Sequence, residues 1–84
     1  MRRIGKPLLR AKANPTGVCF ADLVHLLEAA GFELGRQKGS HRVYKREGLA
    51  ELVVIQPRGK DAKPYQVRQV LELIEKYGLS MKER

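Results

Sequence analysis

The stretch FELGRQKGSHRVYKREGLAELVVI, residues 32–55, decides the fold. Residues 32–37 alternate apolar and polar side chains, as a half-buried strand does. Lys38 and Gly39 make a turn. Residues 40–46 alternate again and read as a second strand. Glu47-Gly48 is a connection of hairpin length. Residues 50–56, centred on Leu52-Val53-Val54-Ile55, carry the β-branched residues that favour a pleated sheet. Pro57 ends that third strand. Connections this short join antiparallel neighbours.

Helical spacing flanks the strands on both sides. Phe20, Leu23, Leu27 and Ala30 form a stripe over residues 20–30, with Ala21, His25 and Glu28 opposite. Gly31 follows as a C′ residue, and Phe32 can contact Leu27 in a Schellman-type stop. Residues 57–63 read as a polar loop. Pro64 suits the start of a second helix. Val67, Val70, Leu71, Ile74 and Tyr77 make its apolar stripe, Glu72 precedes Lys76 by one turn, and Gly78 ends it. The order is α-β-β-β-α. The predicted class is α+β, with two helices on one face of a three-stranded antiparallel sheet. The other face is left to solvent or a partner. Residues 1–16 are expected to be a loosely attached basic arm with a short turn of helix near Lys6–Ala13. The main domain would then run over 17–84.

The chain has 84 residues, 17 of them Lys or Arg and 9 Asp or Glu, for a net charge of +8. That length holds one small domain. No apolar run reaches the roughly 20 residues of a membrane span, so no membrane role is expected. A single cysteine, Cys19, excludes an internal disulfide and fits the cytosol. The positive charge falls in three blocks. Residues 1–12 carry Arg2, Arg3, Lys6, Arg10 and Lys12. Residues 36–46 carry Arg36, Lys38, Arg42, Lys45 and Arg46. Residues 58–68 carry Arg58, Lys60, Lys63 and Arg68. A field of this sign implies an anionic partner, nucleic acid or an acidic protein.

His41 is the candidate for chemistry. Imidazole is the side chain whose charge changes nearest neutral pH, so it can take a proton from a ribose 2′-hydroxyl. Arg36, Lys38, Arg42 and Lys45 surround it and would hold the scissile phosphate, with Ser40 beside it as a further RNA contact. The plainer reading is a strand-edge His bonded to a backbone group. Lys60 and Lys63 stand beside the second helix's N-terminus, whose free amides also suit phosphate, and Arg68 lies one turn on. The plainer reading there is a solvated connector. Tyr44 and Tyr65 could stack on bases, though packing suits each better. His25 reads as solvent-facing and Cys19 as a cap or small core residue. Two His and one Cys lack metal-ligand spacing, and no cofactor motif occurs.

Ala30-Gly31-Phe32-Glu33-Leu34, then Arg36-Gln37-Lys38-Gly39-Ser40-His41 and Val43-Tyr44, resemble the HicA-type toxins of toxin–antitoxin pairs. Ile55-Gln56-Pro57, Lys63 to Leu71 and Tyr77-Gly78-Leu79 continue the likeness. The resemblance implies a double-stranded-RNA-binding-like fold and metal-independent cleavage of mRNA by a single histidine, His41. It also implies neutralisation by a HicB-type antitoxin. Many relatives carry a second His where this chain has Arg42. The alternatives are a non-catalytic module of the same fold that binds double-stranded RNA, and a protein whose charge serves only an acidic partner.

Overall fold

Gly39 has a φ of +60° and is followed by Ser40 in a tight turn. A left-handed residue at the first of two loop positions is what a type II′ hairpin turn requires. It joins β1 (Glu33–Lys38) to β2 (His41–Lys45) as an antiparallel pair. The turn is therefore Gly39-Ser40, one residue later than expected. This computed structural model describes residues 5–79. The expectations placed on Arg2 and Arg3 lie outside them.

β3 (Val53–Ile55) pairs with β2, giving the antiparallel order β1-β2-β3. It is shorter than the expected 50–56. The chain from Arg46 to Leu52 is a connection instead, tied at its start by Arg46. That guanidinium donates from Nε to the Ala30 carbonyl at 2.8 Å, at the end of α2 (Phe20–Ala29). A cation there meets the negative end of the helix dipole. A bulge between Leu34 and Arg36 shifts the β1 register at Gly35.

Paired residues on neighbouring strands project to the same face. Tyr44 and its partner Val53 point inward and are buried, with Ile55 beside them. Leu23, Leu26 and Leu27 of α2 pack there, with Val67, Val70, Leu73 and Ile74 of α3 (Pro64–Lys76). Burying each such side chain contributes on the order of 1.5–3 kcal/mol. The expected arrangement, with the two helices flanking the three-strand run and sharing its buried face, is present. Both helices stop as Schellman motifs. Phe32 N–H donates to the Leu27 carbonyl at 2.9 Å, and Leu79 N–H to that of Ile74 at 3.0 Å. Gly31 and Gly78 supply the positive φ that this requires.

The sequence reading departs from the structure at three further places. Tyr77 does not join the buried stripe of α3. It is exposed, and its hydroxyl donates to Glu51, which also pairs with Lys76 at 3.5 Å. Lys76 thus meets Glu51 across the fold. The polar loop 57–63 contains a small hairpin, β4 (Pro57–Arg58) and β5 (Asp61–Ala62). Its backbone is fastened to the start of α2: Ala62 N–H donates to Val18, and Phe20 N–H to Lys60, each at 2.9 Å. Residues Gly5–Ala13 form a helix, α1, where a short turn was expected. Its attachment is not loose, because Ala11 is fully buried and Leu8 packs on the core. Among the described residues no helix is long and apolar enough to cross a membrane.

Candidate nucleic-acid interface

The type II′ turn leaves His41 as the first residue of β2, exposed and directly opposite Lys38. Arg36 lies opposite Val43, two residues along β2. Successive β2 residues alternate faces, so Arg36, Lys38 and His41 share the outward face. Arg42 pairs with Ile55, so one further step in that register sets His41 opposite Gln56.

Gln56 links the strands to α3. Its Nε2 donates to Ser40 Oγ at 3.1 Å, and its Oε1 accepts from Lys63 Nζ at 3.0 Å. A neutral amide can do both at once, which neither a carboxylate nor an ammonium can. Its main-chain N–H donates to Gln66 Oε1 at 3.1 Å. Gln66 is only 4% exposed, and its Nε2 donates onward to the Tyr65 hydroxyl at 3.2 Å. Lys63, Gln56 and Ser40 therefore form a polar chain from the start of α3 to the turn before His41. Gln56 and Gln66 escaped the sequence reading. A polar residue after an apolar strand reads simply as the strand's exit, and no spacing signals a buried glutamine.

His41 shares an open groove of ≈ 310 Å³ with Leu52, Val54, Gln56, Tyr65, Gln66 and Gln69. The structure thus gathers Arg36, Lys38, Ser40 and Lys63 around His41. It does not gather Arg42 or Arg68. Arg42 belongs to the inward face, and its guanidinium lies 5.2 Å from the Phe20 ring centroid, a cation–π contact. Arg68 lines a different groove with Lys12, Leu71, Glu72 and Glu75, on the other flank of α3. Lys60 is exposed at the tip of the β4–β5 hairpin. Tyr44 is core, while Tyr65 is 59% exposed. His25 is half-buried on α2, and Cys19 precedes that helix without a capping side-chain bond. No group of three or more His, Cys, Asp or Glu side chains among the described residues is placed to hold a metal ion.

The electrostatics are polarised along the sheet. Arg42 over Phe20 and Lys63 on Gln56 bring the N-termini of α2 and α3 to the end that holds the Gly39-Ser40 turn. Both helix dipoles thus present their positive ends beside Lys38, Lys60 and Lys63. At the opposite end Glu33, Glu47 and Glu51 are offset by Lys45, Arg46 and Lys76, so that end is near neutral. An anion is favoured at the His41 end. A flexible chain carrying successive charges would meet Lys38, Lys63 and the hairpin tip together.

No curated protein and no solved structure matches the chain. The family described as HicA toxin of bacterial toxin-antitoxin matches residues 20–76, from the first residue of α2 to the last of α3. That span is well over half of the 84 residues and contains the five strands of the described residues, Gln56 and His41. The matched span does not include α1. The chain belongs to the HicA toxin family.

Proposed function

We propose that this toxin is an endoribonuclease that cleaves single-stranded mRNA without a metal ion, using His41. The neutral imidazole takes the proton of a ribose 2′-hydroxyl. The 2′-oxygen attacks the adjacent phosphorus, and the bond to the 5′-oxygen breaks. The resulting imidazolium returns its proton to that leaving oxygen. The products are a 2′,3′-cyclic phosphate and a 5′-hydroxyl. Lys38 and Lys63 balance charge on the phosphoryl oxygens in the transition state. Arg36 and Lys60 hold flanking phosphates. Ser40, held by Gln56, donates to the phosphate or orients it. Arg42 and Arg68 stand outside this contact set, because Phe20 and the far flank of α3 claim them.

The observation that carries this reading is one arrangement. An exposed His41 has Lys38 opposite it, while Lys63 is bound through Gln56 to the neighbouring Ser40. An open catalytic surface also needs covering in the cell that makes it. A HicB-type antitoxin would do this in the cytoplasm, where mRNA is met. The test is incubation of the purified protein with a single-stranded RNA oligonucleotide in excess chelator. Fragments ending in a 2′,3′-cyclic phosphate are expected. Binding without cleavage, and tighter binding to duplex than to single strand, would identify a non-catalytic double-stranded-RNA module instead.

A further inference from the structure

We infer that the groove beside His41 is a subsite for one unpaired nucleobase, with Tyr65 as its stacking platform. The inference rests on the ribonuclease reading and adds which part of the RNA is gripped. Leu52 is 55% exposed and Val54 41% exposed, and both line the groove with Tyr65. Apolar side chains left open beside an aromatic ring suit a flat, weakly hydrated ligand. The Tyr65 ring is held, because Gln66 binds its hydroxyl and Gln66 is itself buried and anchored to the Gln56 main chain. A fixed ring loses little freedom when a base stacks on it. Gln69 lies one helical turn from Tyr65 in the same groove and carries both an amide donor and an acceptor. It is placed to bond a base edge.

Charge identifies the occupant. The groove meets His41 and Gln56 on one side, and Gln56 carries Lys63 and Ser40. A ligand with a flat apolar face and an anion close to it satisfies both halves, and a nucleotide is such a ligand. A duplex is excluded because its bases are stacked on one another and show only their edges. The subsite would therefore select single-stranded RNA and place one sugar-phosphate link against His41.

The probe is a single-stranded 2′-O-methyl RNA oligonucleotide containing 2-aminopurine, which cannot be cleaved because it has no 2′-hydroxyl. Binding to the wild-type protein is expected to quench the 2-aminopurine fluorescence, and the same strand in a duplex is expected to give no such change. Tyr65→Phe keeps the quench. Tyr65→Leu loses it and weakens binding roughly 5- to 150-fold, the range for one base–aromatic stack, with an unchanged melting profile. A folded Tyr65→Leu protein that binds and quenches like wild type would overturn the subsite. So would loss of antitoxin binding with RNA binding intact, since the groove would then belong to the protein partner. Quenching that depends on Tyr65, together with failure to cut ordinary RNA, leaves the subsite standing and removes only the catalytic reading.

Discussion

At Gln56 the outer edge of the sheet has no further strand to bond among the described residues, since β3 is the last of three. The Gln66 side chain takes that place by accepting the Gln56 N–H. Replacing Gln66 with Leu would leave that amide without its partner and free the Tyr65 hydroxyl. A buried donor left unpaired costs roughly 1–3 kcal/mol. Urea unfolding of Gln66→Leu should give an unfolding free energy lower by about that amount, whereas an unchanged free energy would mean that water replaces the amide. The Gly39-Ser40-His41 run stood out as a candidate site in the sequence because glycine marks the turn and a basic strand surrounds the histidine. Arg42, read as part of that site, was misplaced for a simple reason. Strand alternation sends it to the face opposite His41, where Phe20 waits. Neighbourhood in sequence is not neighbourhood on a sheet.

At the scale of elements, the two long helices were legible because their stripes recur every three or four residues and end in glycine. The third strand was legible too, but its short extent and the facing of its side chains were not. In Leu52-Val53-Val54-Ile55 every residue is apolar, so no alternation reveals that Val53 and Ile55 face the core while Val54 faces out. The β4–β5 hairpin was illegible because its backbone partners lie around Val18 and Phe20, some forty residues away in sequence. The Glu51 contact is another long-range closure, fastening the connection before β3 to the end of α3. The Tyr77 hydroxyl, followed by the charge of Lys76, holds the Glu51 carboxyl below the usual carboxylate range. Hydrogen bonding to Tyr77, followed by the charge of Glu51, raises Lys76. A depressed carboxyl stabilises the fold above its unfolded pKa, and that stability is lost as pH falls through the folded value. A raised ammonium contributes below its unfolded pKa and is lost as pH rises through the folded one. The melting temperature of Glu51→Gln should therefore fall less steeply with acid than that of the wild type. An identical acid limb would show that the contact carries no stability.

For the whole molecule, the net charge of +8 divides by role. Arg46 caps α2, Arg42 covers Phe20 and Lys76 pairs with Glu51. Lys38, Lys60 and Lys63 gather with the helix N-termini at the His41 end. The slope of log affinity against log salt for single-stranded RNA should then fall by about 0.7 in each of Lys38→Gln and Lys63→Gln. It should stay unchanged in Arg68→Gln, and equal effects at all three positions would mean a diffuse field rather than a built site. The central claim is that His41 moves the proton, and its removal in His41→Ala tests this most directly. The variant should fold with an unchanged melting profile and bind RNA, yet cleave roughly 10²- to 10⁴-fold more slowly and no longer arrest growth when induced. A folded His41→Ala protein that cleaves RNA at the wild-type rate would contradict the account.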